Sequence, residues 1–178
     1  MSKVSLKKEL QKLSKEQLIE QILDLYEKNK AVKEFYDFYL NPRNEKELAE
    51  KYKKLIRKEF NLVSPERAGL KYSVAKRAIS DYKNLQPSPE SLADVMLTLP
   101  ECACEFTYEY GDMEEAFYNG VYNNFVVALK FIVKNDLQEA FQFRVEQCVK
   151  WASVCGYGFA DDVASAHYEY YSGGDIES

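Results

Sequence analysis

One residue pair in this chain has the spacing of a serine nucleophile and its activating lysine. Ser73 and Lys76 match the Ser-x-x-Lys pattern, in which a lysine one helical turn further on activates the serine hydroxyl. The Lys-Thr-Gly and Ser-Asp-Asn elements that complete such sites are absent from the sequence. We interpret the pair as part of a solvated helix face, because isolated short motifs match by chance very often.

Four cysteines equal in number the ligands of a structural zinc site, but their spacing does not fit one. On a helix, Cys102 and Cys104 would point roughly 200° apart, and Cys148 and Cys155 would stand about 10 Å apart along the axis. Small apolar thiols are common in protein cores. We therefore predict buried core thiols, with no metal site and no cofactor.

The only histidine is His167, so a di-iron bundle built on paired Glu-x-x-His motifs is excluded. Acid–base catalysis by its imidazole would need a carboxylate partner such as Asp161, Asp162 or Glu169, and no nucleophile accompanies it. The adjacent carboxylates at 114–115 and 161–162 fit helix starts, where the helix dipole favours negative charge. The sequence has no Gly-rich phosphate loop. These patterns favour a non-enzymatic protein and leave an enzyme with an unrecognised site as the third alternative.

Helix start and stop signals recur along the chain with short gaps, whereas the alternation typical of strands is missing. Ser14 with Gln17 and Asp112 with Glu115 form capping-box patterns, and residues 88–90 (SPE) are typical of a helix start. The helix after Ser14 is expected to carry its apolar face on Leu18, Ile22, Leu25 and Tyr26. We predict an all-α protein of about eight or nine helices, either an irregular multi-helix bundle or a short α-solenoid. The aromatic residues do not recur at the spacing of about 34 residues that tetratricopeptide repeats show.

A chain of 178 residues with 46% apolar content is large enough for one core, and we predict a single helical domain over residues 1–178. A subdomain break is possible at residues 86–90, although so short a gap usually joins neighbouring helices. Residues 173–178 are predicted to be a disordered tail. Residues 116–135 carry only two charges, and we expect them to form the central helix.

Charge is spread very unevenly along the chain. Residues 1–83 carry a net charge of +7, and residues 84–178 carry −12. A basic patch that neutralises phosphates could be formed by Lys46, Lys53, Arg57, Arg67, Lys71, Lys76 and Arg77. The same residues could instead solvate helices or pair with the acidic half, which the pI near 5.1 favours. A nucleic-acid-associated protein is therefore the second alternative.

The acidic half is rich in tyrosine and asparagine, which are common in binding surfaces. The candidate binding residues there are Tyr108, Tyr110, Asn119, Tyr122, Asn123, Tyr157, Tyr168 and Tyr171. The alternative is that the tyrosines belong to the core with their hydroxyls at the surface, and that the amides face a groove. The leading functional prediction is a non-enzymatic protein-interaction module or adaptor, whose partner is another protein or a second copy of the chain.

The sequence contains no stretch typical of a membrane span. Its longest apolar stretch, residues 125–133, is interrupted by Lys130 and is far shorter than the roughly 20 residues that cross a bilayer. The first residues lack the apolar segment of a secretory signal, and four cysteines without a disulfide-like density fit a reducing compartment. We expect a cytoplasmic protein with no membrane association.

Several stretches of the sequence resemble a known family. They are residues 13–26 (LSKEQLIEQILDLY), 32–38 (VKEFYDF) with Asn41-Pro42, 156–159 (GYGF) and 168–171 (YEYY). The first two resemble the opening of a bacterial domain-of-unknown-function family of small all-helical proteins, and the later two are similar to it as well. The resemblance implies an all-helical, bacterial, cytoplasmic protein and supplies no catalytic or binding residues.

Overall fold

The computed structural model describes residues 1–172. Nine α-helices are found there, and no strand occurs in this range. The helices are α1 Lys3–Leu10, α2 Lys15–Lys28, α3 Lys30–Leu40, α4 Glu45–Glu59, α5 Tyr72–Asn84, α6 Pro89–Tyr110, α7 Glu115–Lys134, α8 Gln138–Ala152 and α9 Phe159–His167. The predicted all-α fold is therefore confirmed. None of these helices is both long and apolar enough to cross a membrane.

Local sequence signals set several helix starts as expected. At the start of α2, the Ser14 amide donates to Gln17 Oε1 at 2.9 Å, and the Gln17 amide donates to Ser14 Oγ at 3.2 Å. This reciprocal capping box satisfies two amides that the helix itself cannot bond. Ser88 caps α6 with a single hydrogen bond, because its Oγ accepts from the Ser91 amide at 3.3 Å.

The chain divides into two compact units, an N-terminal unit (Met1–Asn44) and a C-terminal unit (Glu45–Ser178). The predicted break at residues 86–90 lies inside the C-terminal unit, between α5 and α6. The predicted tail, residues 173–178, lies outside the described residues.

The N-terminal unit contains a hairpin of α2 and α3. Asn29 ends α2 and caps α3, since its Oδ1 accepts from the Ala31 amide at 3.0 Å. The Tyr26 hydroxyl donates to Asp37 Oδ1 at 2.7 Å across the hairpin. No residue of α1, α2 or α3 is fully buried. This unit thus has secondary structure and side-chain contacts but no core of its own.

The C-terminal unit is a multi-helix bundle around α6. This helix contacts α4, α5, α7 and α8, and 12 of its 22 residues are buried. Helix α6 continues through Pro100, which is itself buried. Helix α6, which Ser88 caps, thus supplies more of the buried residues than any other helix of residues 1–172.

The prediction that residues 116–135 form the central helix is wrong. Seven of the 20 residues of α7 are buried, while Asn119, Asn123, Val127 and Lys130 form an exposed face at helical spacing. The prediction failed because it inferred burial from the small number of charged residues. The exposed face of α7 contains uncharged asparagines, so a low charge does not mean burial there. Helix α6 is surrounded by helices although it carries carboxylates. Two of these, Asp94 and Glu101, are neutralised by side chains of neighbouring helices.

Candidate functional site

A network of ion pairs joins α4, α6 and α8 in the C-terminal unit, and Arg144 of α8 is its centre. Its Nη1 donates to Asp94 Oδ1 at 2.6 Å, its Nη2 to Glu101 Oε2 at 2.5 Å and its Nε to Glu101 Oε1 at 2.9 Å. Burial disfavours the charge of the guanidinium, but the bonds and charges of Glu101 and Asp94 outweigh it and hold the pKa of Arg144 above its usual value. The planar fork of an arginine suits such a double contact.

Lys53 extends the network to α4. Its Nζ lies 2.7 Å from Asp94 Oδ2 and 2.6 Å from Glu50 Oε1, and only 10% of its side chain is exposed. Arg57 Nη1 also contacts Glu50, at 3.0 Å. The hydrogen bond from Lys53, together with that from Arg57, holds the pKa of Glu50 below its usual range. Two members of the proposed basic patch therefore neutralise carboxylates inside one network.

A cleft of about 590 Å³ borders this network and is lined by residues of α4, α6 and α8. Its apolar part is formed by Ala49, Ala140 and Phe141, and its charged groups include Lys46 and Glu90. Volumes of this size accommodate small ligands. Two of its lining carboxylates, Glu50 and Asp94, are already paired with cations of the network.

The hydroxyl groups along the cleft have structural roles. Ser88 Oγ caps α6, and Ser91 Oγ shares a 2.6 Å hydrogen bond with the Tyr82 hydroxyl. The Ser88 amide in turn donates to Glu45 Oε1 at 2.5 Å. Among the described lining residues, no hydroxyl or thiol is paired with a histidine.

The other chemical candidates occupy ordinary structural positions. Ser73 and Lys76 are both exposed on α5, as the interpretation of a solvated helix face requires. Cys102, Cys104 and Cys148 are buried and Cys155 is half-buried, which confirms the prediction of core thiols. Burial and the charge of Glu101 raise the pKa of the Cys102 thiol to about 12. No group of histidine, cysteine, aspartate or glutamate within residues 1–172 could hold a metal ion.

The tyrosine and asparagine candidates are spread over several elements and do not line the cleft. Tyr108 and Tyr110 lie exposed near the end of α6, and the Tyr110 hydroxyl donates to the Leu62 carbonyl. Asn119 and Asn123 share the exposed face of α7, where Tyr122 is half-buried. Tyr157 and Tyr168 are exposed, whereas Tyr171 stacks on His167 with ring centroids 5.3 Å apart.

Four of the seven basic candidates lie near a carboxylate, and all except Lys53 are exposed. Besides Lys53 and Arg57, two arginines lie near carboxylates: Arg67 is 3.8 Å from Glu66, and Arg77 is 3.7 Å from Asp81. The remaining members, Lys46, Lys71 and Lys76, are exposed. More than half of the set therefore already faces a carboxylate.

Asp112 forms a link between two loops of the C-terminal unit. It was expected to cap α7, but Glu114 is the residue at that position. The carboxylate of Asp112 instead accepts from the Tyr118 hydroxyl and, at 3.2 Å, from the Gly156 amide. A Cβ at Gly156 would come within 2.8 Å of Asp112 Oδ2, so a side chain there would displace the Asp112 carboxylate.

Exposed apolar side chains are concentrated on α2 of the N-terminal unit. The predicted apolar face is only partly covered: Leu18 and Tyr26 are half-buried, while Ile22 and Leu25 are exposed. Ile19 and Leu23, which the sequence analysis did not select, are exposed as well. Their four-residue spacing was the available signal, since it places both on one side of the helix.

Apart from Lys53 and Arg57, the residues of the ion network were not selected from the sequence. Arg144 is the only arginine in residues 84–178, and Asp94 and Glu101 are two helical turns apart. Both facts can be read from the sequence. The pairing of Arg144 with Glu101 and Asp94, however, spans 43 and 50 positions of sequence, and no local pattern encodes it.

Comparison with known protein families identifies a family for this chain. Searches of curated proteins and of solved structures found no match to this chain. The model of a family of unknown function, DUF6155, matches residues 1–155. That range contains the N-terminal unit, the ion network and all residues that line the cleft, and it ends before α9. The chain therefore belongs to the DUF6155 family of unknown function.

Proposed function

We propose that this protein is a non-enzymatic protein-interaction module, or adaptor, and that its N-terminal unit supplies the binding surface. One observation carries the proposal: three successive helices contain no buried residue, although α2 and α3 are amphipathic. Amphipathic helices gain most of their stability when their apolar face packs against something. An apolar helix face that no other element covers, on a short unit, is typical of a surface that binds a partner.

The size of the unit strengthens this argument. A stretch of about 40 residues rarely buries enough surface to be stable without disulfides, metals or association. The exposed residues Ile19, Leu23 and Leu25 each present a large aliphatic side chain to solvent. Covering apolar surface contributes about 25 cal/mol per Å², so a partner helix would find a favourable contact here.

The state of the chemical groups supports an interaction role over catalysis. The Cys102 thiol has a raised pKa because it is buried, so little reactive thiolate forms. The His167 ring stacks on Tyr171, and the Ser88 hydroxyl caps a helix. The four free cysteines fit a reducing compartment, and we include a cytoplasmic location in the proposal.

Chemical cross-linking and affinity capture from the source cells test the proposal. The variant Ile19→Glu/Leu25→Glu places charges on both flanks of the α2 apolar face and should lose the captured partner at least about tenfold, since charge is strongly disfavoured in apolar contacts. A matched control, Val63→Glu/Val154→Glu, changes two exposed valines of the C-terminal unit and should retain it. Identical captured proteins for wild type and both variants would refute the proposed surface.

A further inference from the structure

Four residues of α2 lie at successive steps of four: Lys15, Ile19, Leu23 and Glu27. Residues four apart form a continuous ridge on a helix surface. This α2 ridge is basic at its start, apolar in its middle and acidic at its end, and it spans about 18 Å by helix rise. All four side chains are exposed, Ile19 to 46% and Leu23 to 56%.

The order of residues along the α2 ridge is self-complementary. If two copies of α2 pack antiparallel, with a two-fold axis at the level of Gln21, Lys15 lies opposite Glu27 of the second copy. Ile19 then lies opposite Leu23 of the second copy. Because a two-fold contact is isologous, each pairing occurs twice. A parallel contact would instead place lysine beside lysine and glutamate beside glutamate.

The charged ends of the ridge are available for such pairing. Within the part of the chain that the structure describes, neither Lys15 nor Glu27 has an ion-pair partner closer than 4 Å. By contrast, the neighbouring Lys28 is paired, because its Nζ lies 2.6 Å from Asp24 Oδ2 on the same helix. The ridge thus combines exposed apolar residues with uncommitted opposite charges at its two ends.

We infer that the N-terminal unit binds a second copy of this chain through an antiparallel contact between the two α2 ridges, an inference that rests on the proposed function. Ridges of residues four apart interdigitate when the helix axes cross at about −50°. The contact centres on four aliphatic side chains and is flanked by two ion pairs. This area is small beside the roughly 1,200 Å² of a stable complex, so the dimer is reversible and forms in the micromolar range.

Sedimentation velocity of the full chain over a concentration series at low salt tests the inference. Wild type shifts from monomer to dimer as its concentration rises. Lys15→Glu alone, or Glu27→Lys alone, places like charges opposite each other in both pairs and weakens the dimer about tenfold. The double variant Lys15→Glu/Glu27→Lys restores opposite charges and returns the affinity to within about twofold of wild type.

The charge exchanges have a useful property for this test. A glutamate in the first turn and a lysine in the last turn both match the helix dipole, so each single variant should stabilise α2 as an isolated helix. A weaker dimer therefore does not arise from an unfolded α2, and circular dichroism verifies this. Lys8→Glu makes the same charge change on α1, outside the α2 ridge, and leaves the affinity unchanged.

Three outcomes contradict the inference: wild type that remains monomeric at every concentration, single variants that dimerise like wild type, or a double variant that fails to recover. The affinity capture described above separates these failures from failure of the proposed function. If wild type is monomeric but Ile19→Glu/Leu25→Glu loses a different protein, the interaction surface stands and the second copy is the wrong occupant. If neither association occurs, both are wrong.

Discussion

At the scale of single residues, Arg144 is the clearest example of a side chain that its surroundings make difficult to replace. Its guanidinium holds two carboxylates of α6 that are seven residues apart, and Lys53 contacts one of them from α4. A lysine at this position would offer one compact charge where arginine offers a planar fork. The network therefore fixes α8 and α4 to α6 at defined points.

Replacement of Arg144 by methionine should destabilise the protein. Asp94 would keep Lys53, but Glu101 would lose its only ion-pair partner among the described residues while its side chain is about four-fifths covered. Breaking a fully buried pair costs about 3–5 kcal/mol, and the partial exposure here reduces the expected loss to about 2 kcal/mol of unfolding free energy. Urea denaturation at pH 7 measures it, with Arg144→Lys expected to be intermediate. A variant as stable as wild type would show that the network is dispensable.

The Asp112 link predicts a pH dependence. Hydrogen bonds from Tyr118 and from the Gly156 amide lower the pKa of Asp112 in the folded protein. A lowered pKa stabilises the fold above the unfolded value of about 3.9, and this contribution disappears as the pH falls through the folded value. Asp112→Asn should thus unfold at a lower temperature than wild type at pH 7, and the difference should shrink below about pH 4. A difference that stays constant in thermal melts across this range would contradict the assignment.

At the scale of elements, α6 combines a central position with a row of carboxylates. Glu101, Glu105 and Glu109 follow one another at steps of four, so they lie on one side of the helix. Arg144 neutralises the first of them. Burial raises the pKa of Glu105, and the charges of Glu101 and Glu109 raise it further.

Glu105→Gln should therefore stabilise the protein at neutral pH. A carboxyl whose folded pKa is raised makes the fold less stable as the pH rises from its unfolded value of about 4.3 through the folded value. The amide removes this penalty, so the gain should be present at pH 7 and vanish below about pH 4. Chemical denaturation at both pH values measures it, with Glu109→Gln as a more exposed comparison. A loss of stability at pH 7 would mean that Glu105 has a favourable partner.

The helices themselves were predictable because their signals are local. Ser14 with Gln17, and Ser88 with the proline that follows it, specify helix starts within four residues. The central position of α6 was not predictable in this way, because it depends on packing against several helices, among them α4 and α8 from distant parts of the chain. The apolar face of α2 was predictable only to the same extent. The spacing of its residues indicates an apolar surface, but no local pattern indicates whether another element covers it.

At the scale of the whole molecule, the uneven charge of the sequence is partly balanced inside the C-terminal unit. Lys53 of the basic half pairs with Asp94 of the acidic half, and Arg57, Arg67 and Arg77 face carboxylates nearby. Paired cations release few counterions when they meet a phosphate chain. The net charge of −5 adds a general repulsion.

We accordingly expect weak or no binding to nucleic acid. Fluorescence anisotropy with mixed-sequence duplex DNA and single-stranded RNA, between about 50 and 200 mM salt, measures it. The exposed lysines offer few contacts, so the signal should be small and nearly independent of salt. Affinity that falls steeply with salt, and that Lys71→Glu/Lys76→Glu reduces, would instead favour the basic patch as a phosphate-binding surface.

The central claim is that the N-terminal unit depends on association, and hydrogen exchange at two protein concentrations tests it most directly. Helices without buried residues open locally with little free energy, so amides of α2 in dilute protein should exchange at least about 100-fold faster than those of α6. Raising the protein concentration, or adding a captured partner, should slow α2 and leave α6 unchanged. Amides of α2 that exchange as slowly as those of α6 in dilute protein, whatever the concentration, would contradict the account.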